Sequence, residues 1–155
     1  NGLRAILRQS PDVVMVGEMR DPETISAALT LAETGHLIFA TLHTPNTTQT
    51  VDRIIDVCPA HQQPQVRSQL SMSLKAIVAQ RLVPHIKGGR VAVREVLFNT
   101  PAVSNIIRDS RAQELKSVLQ TNEDIGMIAF EKSIKQMLEA EIITKEVYDT
   151  FLQTL

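Results

Sequence analysis

The sequence predicts an α/β fold built on parallel strands, followed by a helical C-terminal region. Three observations carry that reading: an unalternating β-branched run at Val13–Val16, a second apolar strand in "HLIFATLHT", and a stretch of helical apolar spacing between them. A strand, a helix and a strand joined by short connections form a βαβ unit, whose strands run parallel. From Thr100-Pro101 onward the apolar spacing is helical throughout.

The elements follow in order. "NGLRAILRQS" spaces Leu3, Ile6 and Leu7 on one helical face, and the helix should stop at Ser10-Pro11, because a residue before proline leaves the helical region. Val13–Val16 has the pattern of a strand covered on both faces. Asp21-Pro22 supplies an N-cap and a proline for the first helical position, and Gly35 a C-terminal stop. Between them Ile25, Ala28, Leu29 and Ala32 repeat at helical spacing. After Pro45 a short helix turns Val51, Ile54 and Ile55 inward. The spacing then predicts a longer helix from about Gln62 to Arg81, with Val66, Leu70, Leu74, Ile77 and Val78 as its stripe. "LVPHI" and "RVAVREVLF" flank Lys87-Gly88-Gly89 as a hairpin. Beyond Thr100 the stripes are Val103/Ile106/Ile107, Leu115/Val118/Leu119, Phe130/Ile134/Met137/Leu138 and Val147/Phe151. The composition change there divides the chain into residues 1–100 and 101–155.

Composition narrows the function. A net charge of −1 in 155 residues leaves no electrostatic footprint for nucleic acid. Aromatic residues make up 3%, too few for base-stacking platforms. With Cys58 alone, neither an internal disulfide nor a cysteine zinc site can form, and a reducing compartment is expected. No apolar run reaches the roughly 18 residues of a membrane span.

Ligands of open parallel sheets bind beyond the carboxyl ends of the strands. The first strand ends in Gly17, Glu18, Arg20 and Asp21, and the second in Thr41, His43 and Thr44. A carboxylate beside an imidazole and a hydroxyl suits phosphate and water chemistry. Each residue alone is also compatible with a solvated strand end. His36, at the start of the second strand, faces away from the expected rim, and two histidines at opposite ends of a strand do not converge on a metal.

"VVMVGEMRDPET", then "AETGHLIFATLHT", then "TVDRIIDVCP" resemble one family, the secretion ATPases that drive type II secretion and type IV pili. The first string is similar to their Walker B segment, with Gly17-Glu18 where many P-loop ATPases have Asp-Glu. The second is similar to their histidine box, with His36 and His43 in its two positions, and "VAQRLV" matches a further segment. The resemblance implies a RecA-like P-loop ATPase core of which this chain is the C-terminal part. It also implies ATP and Mg²⁺ as cofactors, a homo-hexameric ring, a pilus platform protein of the inner membrane as partner, and a cytoplasmic location at that membrane. By the same analogy Glu18 orients and activates the attacking water, and His43, with Thr41 beside it, contacts the γ-phosphate side. Arg20 and His36 hold neighbouring loops, and Gly17 stands where a magnesium-ligating Asp is usual, so that Glu18 could reach the metal through water and no direct metal ligand is expected.

Two features refine the resemblance. The chain runs through "AQRLVPHIKGGRVAVREVLFNTPAV" without the four-cysteine zinc module usual in assembly and type II secretion ATPases, which favours the retraction branch that powers twitching. "AVSNIIRD" is similar to that branch's Ala-Ile-Arg-Asn-Leu-Ile-Arg-Glu motif through Ala102, Asn105, Ile106, Ile107 and Arg108, with Ser104 and Asp109 as departures. A pilus-assembly or secretion ATPase without the module, and a non-catalytic module docking to a motor ring, are the alternatives. No G-x-x-x-x-G-K-[ST] occurs in the chain, and "KGGR" precedes a strand instead of opening a helix. The chain by itself is therefore expected neither to bind ATP tightly nor to hydrolyse it.

Overall fold

The computed structural model describes residues 11–155; the helix expected over the first ten residues lies outside them. Strand β1 (Val13–Val16) and strand β2 (Leu37–Ala40) pair in parallel, Val13 opposite Leu37 and Val16 opposite Ala40. Helix α1 (Pro22–Glu33) makes the crossover. Its first turn is built as its sequence requires: the Asp21 carboxylate accepts the Thr24 N–H at 2.8 Å, and Pro22 stands where no N–H is needed. Gly35, at φ 96°, takes the left-handed conformation that returns the chain to β2.

Helix α2 (Thr47–Asp56) follows, capped by the Asn46 side chain on the Gln49 N–H at 2.8 Å. Val51, Ile54 and Ile55 are buried, as their spacing requires. Helix α3 (Gln63–Ser73) is shorter than expected. Residues Ala76–Pro84 form β3, which pairs antiparallel with β4 (Arg90–Phe98). The helix predicted through Arg81 therefore ends eight residues earlier. Leu74, Ile77 and Val78 fit a helical stripe, but Ile77, Ala79 and Val83 also alternate along one strand face, and that face is the buried one. Tertiary bonds decide between the two. Asn99 Nδ2 donates to the Ser71 and Leu74 carbonyls at 3.0 and 2.9 Å, and Ser104 Oγ to Ser71 at 2.6 Å. The last carbonyls of α3 are thus satisfied from Asn99, just past β4, and from α4 (Pro101–Arg108), and the helix stops.

The β3–β4 hairpin turns at Gly88 and Gly89, both at positive φ. Beyond α4 come α5 (Leu115–Thr121), α6 (Phe130–Glu139) and α7 (Lys145–Leu152), with short 3₁₀ turns before α5 and α6. A β-bridge from Val96 to Ile128 helps lace this helical region onto the hairpin. The hairpin serves two cores. Ile77 and Leu97 pack with α1 to α5, whereas Ala79, Val83 and Val93 pack with α6 and α7.

One expectation for β1 needs correcting. Val14 and Val16 are buried, but Val13 and Met15 are 55% and 69% exposed, as are Leu37 (45%) and Phe39 (55%) on β2. Among the described residues the sheet has two strands and no element covers its second face, so Val13 and Met15 are not buried.

Asn99→Ala should destabilise the chain by about 1–3 kcal/mol, the cost of leaving buried polar groups unpaired, read as a lower urea midpoint with unchanged slope.

Candidate functional site

Parallel pairing places both carboxyl strand ends on one rim. The ladder continues one step past the strands, where the Met19 N–H donates to the Thr41 carbonyl at 3.1 Å. The Thr41 hydroxyl donates to the Gly17 carbonyl, so the two chains leave the sheet side by side. Glu18 and His43 then project from adjacent loops, His43 Nε2 lying 3.4 Å from Glu18 Oε1. Arg20 Nε donates to the same Glu18 oxygen at 2.5 Å. Gly17, Glu18, Arg20, Thr41 and His43 are thereby brought together. His36 is not. It sits at the opposite end of β2, its Nδ1 3.0 Å from the Leu31 carbonyl and from the Thr34 hydroxyl, where it ties the end of α1 to the strand.

The rim opens into a cleft of about 280 Å³, lined by Glu18, Arg20, His43, Thr44, Gln49 and Arg53 among others. Gln49 and Arg53 were not singled out from sequence. They lie one turn apart on α2, opposite the buried Val51/Ile54/Ile55 stripe, and the Asn46 cap aims that polar face at the rim. The readable signal was the amphipathic spacing itself, since the face turned from the core must meet either solvent or a site.

The electrostatics favour an ionised Glu18. The hydrogen bond from Arg20 holds its carboxyl below the ordinary glutamate value; partial desolvation opposes this, and the charge of Arg20 and the nearby His43 add to it. Among the described residues Arg53 has no carboxylate partner within 4 Å, so the cleft holds one carboxylate already paired to Arg20, a second guanidinium and an imidazole. Such a cleft suits an anion approached by a fixed water.

The residues proposed for the retraction motif lie elsewhere, on α4. Ile106 and Ile107 are buried in the main core, and Ala102, Asn105 and Arg108 are exposed, with Arg108 donating to the Asn105 side chain.

The family model described as "Type II/IV secretion system protein" matches residues 1–149. The chain belongs to that family. Among curated relatives, the type IV pilus retraction ATPase PilT of Pseudomonas aeruginosa is 46% identical over 93% of this chain and 42% of its own length. A twitching motility protein of Neisseria gonorrhoeae is 50% identical over 94% of this chain and 39% of its own. The crystal structure of the pilus retraction motor PilT with bound ADP superposes with a TM-score of 0.85 at 44% identity, covering 95% of this chain and 41% of that one. The Legionella pneumophila ATPase DotB gives 0.87 at 31% identity, over 99% and 42%. This chain spans about two fifths of the length of these relatives. The family's α/β architecture is the one described above.

A group whose pKa is depressed on folding contributes stability above its unfolded value and loses it as pH falls through the folded one. Carboxyl-carbon NMR should therefore find Glu18 titrating below an ordinary glutamate, and Arg20→Gln should raise that midpoint. An unshifted midpoint in the variant would remove Arg20 as the cause.

Proposed function

We propose that this chain is the C-terminal portion of the ATPase core of a pilus-retraction motor. Convergence of Glu18 and His43 at one end of a parallel strand pair, inside a cationic cleft, is the observation that supports the enzymatic half of this reading most directly. The retraction half draws on relatives. The alignment with the Pseudomonas aeruginosa pilus assembly ATPase PilB runs over 193 positions, more than this chain's own length, at 31% identity. That relative carries inserted residues which this chain lacks. The "AQRLV…NTPAV" segment here is an uninterrupted hairpin closed by a two-glycine turn.

In this reading ATP supplies the phosphoryl group, and the cleft takes its γ-phosphate end. The residues fit that end and no more: one carboxylate for water, and Arg20, Arg53 and His43 for negative charge. Phosphoryl transfer demands positioning and charge stabilisation rather than covalent chemistry. Glu18 is suited to orienting water more than to keeping its proton, because a carboxylate held below its ordinary value is a weak base. Arg20 fixes the rotamer of Glu18, and Thr41 fixes the loop that bears His43. Glu18 is the residue of this cleft that would hold Mg²⁺, through a water, where the ion would neutralise phosphate charge. The backbone cradle for the other phosphates has no counterpart in this sequence, and it must be supplied from elsewhere in a working site.

A homo-hexameric ring seated on an inner-membrane platform protein, at the cytoplasmic face, completes the proposal. Among the described residues no helix is long and apolar enough to cross a membrane. The exposed Asn105 and Arg108 on α4 are the part of the retraction motif available to such a partner or to a neighbouring subunit.

In a complete ATPase carrying this sequence, Glu18→Gln should lower turnover by about 10²–10⁴-fold while leaving nucleotide binding intact; retained turnover would take Glu18 out of the reaction. For the 155-residue chain itself, titration with a fluorescent ATP analogue should show no micromolar binding, and saturation in that range would overturn the requirement for an external cradle.

A further inference from the structure

Outside the cleft, one side chain of β3 reaches three separate parts of the molecule. Arg81 Nε donates to the Pro45 carbonyl at 3.3 Å. Its Nη1 donates to the Thr154 carbonyl at 3.1 Å and to the Thr154 hydroxyl at 3.3 Å. The guanidinium carbon lies 5.4 Å from the Phe130 ring centroid and 5.8 Å from that of Phe151, two buried rings that meet edge to face. Pro45 lines the cleft two residues after His43, Phe130 opens α6, and Thr154 follows α7.

A second tie lies beside it. Ala79 pairs with Glu95 and Arg81 with Val93, so Arg81 and Glu95 occupy one face of the hairpin a single step apart. Glu95 is buried, and its Oε1 accepts both the N–H and the hydroxyl of Thr47 at 2.8 Å. The segment from His43 to Thr47 is therefore held by two charged groups of the hairpin. Of the two, Arg81 alone also binds the C-terminal helices.

The shape of the contact argues against a simple cap on the end of α7. A planar guanidinium offers donors in two directions and a flat face to aromatic rings, whereas an ammonium is a compact point charge. A cap for α7 would need no bond to Pro45.

We propose that Arg81 is a positioning residue that couples α6 and α7 to the segment bearing His43, with Glu95 as the fixed end of that segment. A shift of the α7 end pulls on Pro45 through the guanidinium and moves His43, while Thr47 stays anchored. The consequence for turnover rests on the proposed ATPase reading; the linkage itself is tested without nucleotide.

The test uses imidazole and backbone-amide NMR on the 155-residue chain, in which His36 and His61 serve as internal references. A chain ending at Gln153 keeps Arg81 and both rings but loses Thr154. Its His43 ring resonances should move while those of His36 and His61 do not. The amide resonances of His43 and Thr44 should move with them, while that of Thr47, held by Glu95, should not. Arg81→Gln should reproduce the change, Arg81→Lys should not restore it, and shortening the chain in the Arg81→Gln background should add nothing. An unmoved His43 in the shortened chain, or effects that simply add, would overturn the proposal. Should Arg81→Gln fail to fold, the shortened chain with Arg81 intact decides alone. Failure of the ATPase reading would appear separately, as absent hydrolysis in a complete protein, and would leave these spectra unaffected.

Discussion

The backbone bond from Met19 to the Thr41 carbonyl is the constraint on which the cleft depends. Parallel pairing of β1 and β2 brings two carboxyl ends to one rim, but four-residue strands stop short of the residues that matter. That additional ladder step, reinforced by the Thr41 hydroxyl on Gly17, carries the register past the strands and sets Glu18 opposite His43. Gly17 has open space around its α-carbon and an exposed position, which fits a backbone that must turn there without packing. Without the pairing, Glu18 and His43 would be two polar residues on unrelated loops.

Much of this was legible in the residues. The βαβ unit could be read because each of its signals is local: β-branched runs, an Asp-Pro helix start, a glycine stop. Glu18 and His43 could be placed on one rim because parallel strands leave no other arrangement. The end of α3 was hidden for the opposite reason. Nothing near Leu74 breaks a helix, and the groups that satisfy its last carbonyls, Asn99 and Ser104, stand 25 residues or more away in sequence. Glu95 was equally invisible, since its partner Thr47 is 48 positions distant and a lone acid in a strand reads as solvent-facing.

The hairpin is the mechanical centre of the chain. Its proximal half closes the core shared by α1 to α5, and its distal half closes the one shared by α6 and α7. Its buried face also carries the two charged groups that hold the loop after β2. Charged side chains on a core face are costly unless fully bonded. Here each is bonded to backbone or hydroxyl groups of the segment leading out of the cleft, so the same contacts that satisfy the charges also restrain that segment.

The face of β1 and β2 that no described element covers bears on the order in which the molecule opens. Two short strands with Val13, Met15, Leu37 and Phe39 turned outward lose little buried surface when they separate. The hairpin, packed against helices in both cores, loses far more. Local opening follows the least buried unit, so amides of β1 and β2 belong to the fast-exchanging class and those of β3 and β4 to the globally protected one. The cleft residues thus ride on the part of the chain that fluctuates first, while the framework that steers them is the part that opens last.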